Sequence, residues 1–223
     1  MADEVPWEIK YAPTNFDDFI LPPDTPDIPI RAVLKKLYST GQCLYGGLLI
    51  TGAGGSGKST FIESLMKQDW WVVYKVTDTG AGKAEIDQIK LEIDLWDSDR
   101  RTGGIKRVLI LANEISKSTK DFRDGLRGLL NPEYYGRVFL VATDNHYDKL
   151  VIENPELFDD ERVLCLDWDK VPKAAIATRV SEILAAEGLL TEENWEKASA
   201  YCEAFKPSIR KVLKRLQIYF EVE

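Results

Sequence analysis

A chain of 223 residues, 44% of them hydrophobic and with no apolar run approaching the roughly 20 residues of a membrane-spanning helix, is expected to be globular and soluble, with room for a medium domain plus a small one. Its formal net charge of −8 argues against coating nucleic acid through the overall field, although a local basic face can still contact phosphates. Three cysteines (Cys43, Cys165, Cys202) without metal-ligand spacing and a single histidine, His146, argue against a zinc site, a disulfide framework and a His-based triad, and the acidic Met1-Ala2-Asp3-Glu4 opening lacks a signal-peptide pattern, so the cytoplasm is the expected compartment.

Prolines from Pro6 through Pro29 forbid a single regular helix or central strand and predict an extended arm over the surface. Ile30, Val33, Leu34 and Leu37 then repeat at helical spacing, and Gly41 follows where a C-terminal glycine would stop that helix. The apolar run Leu48-Leu49-Ile50 predicts a first core strand, and helical spacing resumes over residues 60–66. Further strands are predicted at 71–76, 107–112, 137–142 and 163–166, the earlier ones separated by helical segments. This alternation predicts an α/β fold with a mostly parallel sheet covered on both faces. Trp70, Trp71 and Trp96 are read as packing residues. From about Asp169 only helical patterns remain. Ile176, Val180, Ile183 and Leu184 form one stripe, Thr191 can cap the next helix, and Ile209, Val212, Leu213, Leu216 and Phe220 form the last stripe. Two domains are expected, residues 1–168 and 169–223.

Between the first strand and its helix lies Gly52-Ala53-Gly54-Gly55-Ser56-Gly57-Lys58-Ser59, with the spacing G-x-x-x-x-G-K-[ST] of a phosphate-binding loop. Glycines permit a tight turn that aims several backbone N–H groups at one anion. The helix that continues through Thr60 presents its positive N-terminus to the same anion. Lys58 is expected on the β and γ phosphates and Ser59 on Mg²⁺, which makes a nucleoside triphosphate the expected ligand.

A triphosphatase also needs a carboxylate at the end of a neighbouring strand. Residues 109–112 run into Asn113-Glu114, which makes Glu114 the candidate general base. Asn113 stands where a metal-holding aspartate is usual; its amide oxygen brings no negative charge, so weak Mg²⁺ affinity or slow turnover is expected. Thr143-Asp144-Asn145 closes the fourth strand at the edge where open α/β sheets bind ligands, and Asn145 is the candidate to touch the γ-phosphate or orient water.

On these motifs the chain resembles an AAA+ ATPase of the clamp-loader type, similar over nearly its whole length to the small ATPase subunits of phage and replication factor C loaders. Glu8-Ile9-Lys10-Tyr11-Ala12-Pro13 is similar to the E-K-Y-R-P opening of that family, with Ala12 in place of its arginine. The resemblance implies that Tyr11 and Pro13 line an adenine pocket, that Asn145 is a sensor, and that Arg210, within Pro207-Ser208-Ile209-Arg210-Lys211-Val212, is a second sensor in a lid. Lys83 is similar in place to a basic residue that restrains the catalytic glutamate in phage loaders. The implied fold is a P-loop NTPase parallel sheet, the AAA+ core with its N-terminal arm, followed by a small all-helical lid. ATP and Mg²⁺ are the implied ligands and ATP hydrolysis in DNA replication the implied activity, with a sliding clamp, primed DNA and other loader subunits as partners, in the host cytoplasm if phage-encoded.

Two departures bear on that expectation. Acids (Asp159, Asp160, Glu161) replace the Ser-Arg-Cys that carries the family's arginine finger, which leaves two alternatives, a shifted Arg162 or a lost finger. The family's subunits continue into a helical collar, whereas this sequence stops in the lid at Glu223, with the collar either absent by nature or cut off, and a monomer or weak oligomer is the expectation. Lys117, Lys120, Arg123 and Arg127 lie where loader subunits approach the DNA backbone; Asp121 and Asp124 interrupt them, and a solvated helix face is the alternative reading. Two rival functions remain open at the sequence level: a nucleotide-held switch with weak or no hydrolysis, and another AAA+ remodeller such as a helicase loader.

Overall fold

Five apolar runs pair in parallel into one sheet in the computed structural model, which describes residues 5–76, 82–100, 106–145, 150–152, 155–158 and 162–222. The strands are β1 (Gly47–Thr51), β2 (Trp71–Val76), β3 (Arg107–Ala112), β4 (Val138–Asp144) and β5 (Val163–Asp167), in the order β2-β3-β4-β1-β5. Every residue of β1 is buried, as a central strand covered on both faces requires. The predicted end of β4 at residue 142 falls short by two, because Thr143 and Asp144 continue the ladder opposite Ile50 and Thr51.

The helices are α1 (Trp7–Lys10), α2 (Ile30–Thr40), α3 (Lys58–Met66), α4 (Lys83–Arg100), α5 (Lys120–Leu129), α6 (Lys173–Ala186), α7 (Glu192–Phe205) and α8 (Ile209–Val222). The chain groups into two compact units, one of residues 32–52 and 62–167, the other of the arm up to Arg31, the stretch Ala53–Phe61 and the chain from Trp168 onward. The division at 168/169 expected from sequence places the arm with the sheet, whereas by contact it groups with the C-terminal helices.

In the sheet unit, Leu49, Ile110 and Leu140 pack against Ile86, Ile89 and Ile93 of α4 and Phe122, Leu126 and Leu129 of α5. Each such fully buried side chain is worth about 1.5–3 kcal/mol of transfer free energy. Gly125 permits close approach of α4 and α5: a Cβ there would lie 2.4 Å from Ile86 Cγ1. Gly41 ends α2 in the left-handed region at φ 66°, and Trp71 is buried against Phe139.

The other unit corrects the expectation of an extended surface arm. The arm folds into α1 and a 3₁₀ turn, Phe16–Asp18, and buries Trp7, Phe16, Phe19 and Leu21. The prolines do not oppose this, since Pro6 only precedes a helical turn and its missing N–H costs nothing there. Trp7 stacks on Phe220 at 6.1 Å, and its backbone N–H donates to Gln217 Oε1 at 2.9 Å. Phe19, Phe61 and Trp168 form an aromatic chain with centroid spacings of 5.4 and 5.7 Å. Thr191 caps α7 by accepting the Asn194 N–H, and Ile176, Val180, Ile183 and Leu184 of α6 and Val212, Leu213 and Leu216 of α8 are buried stripe residues.

Candidate functional site

The glycine-rich loop leaves β1 and ends as α3 begins, so Lys58 and Ser59 occupy the first helical turn. Gly52, Gly55 and Gly57 take φ values of 125°, 83° and 102°, a region that L side chains rarely enter. At Gly55 space forbids a side chain as well, because a Cβ would come within 2.4 Å of Ser208 Oγ. Ser56 is buried and its hydroxyl donates to the Ala53 carbonyl at 2.9 Å. The Ala53 N–H donates to Asp169 Oδ1 at 2.8 Å. Lys58 Nζ donates to the Ala53 carbonyl at 2.8 Å, turned onto its own loop. Burial lowers the Lys58 pKa and the nearby Asp169 charge partly opposes that shift.

Gly55, Ser56, Gly57 and Thr60 line one cleft together with Tyr11, Ala12, Pro13, Phe19 and Ile20 of the arm, Arg179 and Ile183 of α6, and Ile209, Arg210 and Leu213 of α8. The loop is bonded to the last helix, since the Arg210 backbone N–H donates to the Gly55 carbonyl at 3.4 Å. The Arg210 side chain is exposed. Tyr11 is held by two contacts: its hydroxyl donates to Glu187 Oε1 at 2.6 Å, and its carbonyl accepts from Arg179 Nη2 at 3.3 Å. Lys10 Nζ reaches the same Glu187 oxygen at 2.7 Å, and these two bonds hold the Glu187 carboxyl below its ordinary pKa. The sequence-predicted residues Tyr11, Pro13, Gly55, Ser56, Gly57, Thr60 and Arg210 therefore share one cleft, while Ser59 is exposed at the start of α3.

Three contributors were missed from sequence: Asp169, Ser208 and Arg179. Arg179 lies three residues after Ile176 and four before Ile183, beside the buried stripe of α6, and that spacing was the available signal. Asp169 and Ser208 carried none, because their roles depend on where the loop folds back.

In the sheet unit, Asn113 and Glu114 follow β3 and are tied to β4. Thr143 Oγ1 accepts the Glu114 N–H at 3.2 Å and donates to Asn113 Oδ1 at 3.3 Å. Glu114 sits in the left-handed region at φ 50°, and its carboxylate pairs with Lys117. Lys83 starts α4, and its side chain is exposed. Asp144, read from sequence as an edge residue, is 3% exposed and accepts the Ser116 N–H at 2.9 Å; the strand runs two residues further than predicted and takes it inside. Asn145 follows β4 and is exposed.

Much of the basic stretch is engaged: Lys117 with Glu114, Arg123 with the Ser118 carbonyl and Arg127 with Glu156. Arg162 donates to Asn131 Oδ1 at 3.2 Å. His146 and the acids Asp159, Asp160 and Glu161 lie outside the described residues. Among the described residues no cluster of three or more His, Cys, Asp or Glu could hold a metal ion, and no helix is long and apolar enough to cross a membrane.

No family model and no curated protein matches this chain. Solved structures similar to it include Cdc6p from Pyrobaculum aerophilum, at 11% identity and a TM-score of 0.58 over 92% of this chain and 63% of that one. Two point variants of RuvB from Thermotoga maritima match at 12% and 11% identity, with TM-scores of 0.58 and 0.57, over 93% of this chain and 64% and 65% of theirs. This chain thus spans less than two thirds of the length of each. The likeness carries the fold alone, a parallel α/β sheet with a helical C-terminal region.

Proposed function

We propose that this protein binds and hydrolyses ATP and acts in DNA replication in the manner of a clamp-loader small subunit. The observation that carries the reading is the shared cleft: the glycine-rich loop, the arm residues Tyr11 and Pro13, and the arginines Arg179 and Arg210 all face it. Loop amides and Lys58 would hold the phosphates, with Lys58 exchanging its bond to the Ala53 carbonyl for phosphate oxygens. Tyr11, Pro13, Phe19, Ile20 and Ile183 offer apolar surface for the base, and Arg210 would sense the γ-phosphate and draw α8 toward it. In hydrolysis Glu114 would take a proton from the attacking water as the bond between the γ-phosphorus and its bridging oxygen breaks, with Asn145 orienting that water.

The residues present fit Mg²⁺ as a cation held chiefly by substrate phosphates and water. Ser59 supplies an exposed hydroxyl, and the Asn113 amide oxygen is neutral and already accepts from Thr143. The ion would supply charge neutralisation on the phosphates. A sliding clamp, primed DNA and other loader subunits are the proposed partners, and the cytoplasm the proposed compartment.

The neutral Asn113 favours a second reading, a nucleotide-held switch that turns over slowly. Steady-state phosphate release with ATP and Mg²⁺, beside Lys58→Ala and Glu114→Gln and with or without primed DNA, separates the readings. Turnover that needs both side chains and rises with DNA supports the loader-like ATPase; tight ATP binding without turnover supports the switch. Absence of ATP binding by the unaltered chain discards both.

A further inference from the structure

The amino edge of the sheet, where β1, β3 and β4 begin, carries a second cleft. Leu44 and Tyr135 line it at 78% and 66% exposure, two of the three most exposed large apolar side chains among the described residues. Leu130 and Tyr134 are half-buried within it, so the cleft offers aliphatic and aromatic surface together. Apolar side chains gathered at one cleft, rather than scattered singly over the surface, suit a binding face.

Charge narrows the choice of occupant. The lining includes Lys36 and Arg107 and no carboxylate, in a chain whose 37 acids outnumber its 29 lysines and arginines. Arg107 Nη1 donates to the Gly41 carbonyl at 2.7 Å, which fixes its guanidinium beside the apolar wall. Arg and Tyr are the residue types that most often carry binding energy at protein interfaces. A nucleic-acid strand would need a row of cations along its backbone as well as stacking rings, and although the cleft has rings its two cations do not make that row.

We propose that this cleft docks a short segment of a partner protein in which a large apolar side chain (Leu, Phe or Trp) is flanked by Asp or Glu. The apolar side chain enters between Leu44 and Tyr135, and the flanking carboxylates meet Lys36 and Arg107. This inference does not depend on the nucleotide reading, because every residue it uses belongs to the sheet unit and none to the glycine-rich loop.

The test is fluorescence anisotropy on the full chain with a labelled peptide of alternating Asp or Glu and Phe or Leu. Comparison probes are the same peptide with Lys for its acids, the same peptide with Ser for its apolar residues, and a single-stranded oligothymidine. Lys36→Glu and Tyr135→Ser alter exposed side chains, and circular dichroism confirms that each variant is folded. The acidic apolar peptide is expected to bind in the micromolar range, both altered peptides to bind at least about tenfold more weakly, and each variant to lose about tenfold in affinity. Three results would overturn the proposal: no binding of the acidic apolar peptide, binding that neither variant weakens, or oligothymidine binding in preference to the peptide.

Discussion

The backbone N–H of Glu114 donates to the Thr143 hydroxyl across 3.2 Å, which ties the candidate general base to the neighbouring strand. The same hydroxyl donates to Asn113 Oδ1, so one threonine fixes both residues at the end of β3. That bond matters because Glu114 is the one non-glycine residue at positive φ among those described, a backbone conformation that costs on the order of 1–3 kcal/mol and needs neighbours to hold it.

Thr143→Val keeps the shape of the side chain and removes the hydroxyl. Stability is expected to fall by about 1 kcal/mol, the net worth of a typical hydrogen bond, with the strand retained. Turnover is expected to fall while ATP affinity stays near that of the unaltered chain, since Thr143 belongs to the strand end and not to the glycine-rich loop. Urea unfolding, ATP titration and steady-state turnover check this together. Lost stability with unchanged turnover would leave Thr143 a structural role only.

Asn113→Asp tests the neutral strand end. A carboxylate there can still accept from Thr143 Oγ1 and adds a negative charge to the proposed Mg²⁺ site. The Mg²⁺ concentration needed for half-maximal turnover is expected to drop on the order of tenfold, with turnover unchanged or raised, because ligand charge count tunes divalent affinity. A Mg²⁺ titration of both proteins decides it, and identical curves would mean that Asn113 stands away from the metal.

The order of strands and helices was legible because each buried strand is a continuous apolar run and α6 and α8 each carry a clear stripe, as with Leu48-Leu49-Ile50 in β1 and Ile176-Val180-Ile183 in α6. The glycine-rich turn between β1 and α3 was legible because glycine spacing is local. What sequence could not reveal depends on residues far apart in the chain. Asp169 bonds Ala53 across more than a hundred positions, Ser208 closes over Gly55, and Trp7 finds Phe220. The arm was misread for a related reason: its prolines speak against regular structure, while the burial of Phe16, Phe19 and Leu21 between them follows from surfaces supplied by distant segments.

Gly55 and Gly54 are neighbours with opposite tolerances. A Cβ at Gly55 meets Ser208 Oγ at 2.4 Å on a backbone at φ 83°, whereas a Cβ at Gly54 meets nothing within 4 Å. Gly55→Ala is expected to cost more than about 1 kcal/mol of stability and to weaken ATP binding sharply, because residues forced into left-handed backbone are strained before any clash is counted. Gly54→Ala is expected to leave stability within about 0.5 kcal/mol of the unaltered protein, as at most sites free of such features. Thermal melts of the two variants check the contrast, and equal melting temperatures would refute it.

Lys58 illustrates a conflict between binding and stability. Burial holds its pKa below 10.5, so at neutral pH the folded protein keeps a charge that the unfolded chain solvates better. The stability this shift contributes is fully present above pH 10.5 and is lost as the pH falls through the lowered folded value, which makes charged Lys58 a cost at pH 7. Lys58→Met is therefore expected to raise the melting temperature of the ligand-free protein at pH 7, by a modest amount because the side chain is only partly buried and Asp169 offsets some of the penalty. The gain should shrink as the pH approaches 10.5. Excess ATP should raise the melting temperature of the unaltered protein and leave that of Lys58→Met unmoved, since a ligand stabilises a fold only through binding to it. Melting curves at two pH values with and without ATP test every part of this, and a ligand-free Lys58→Met protein that melts lower than the unaltered chain at pH 7 would show that the ammonium group stabilises its own loop.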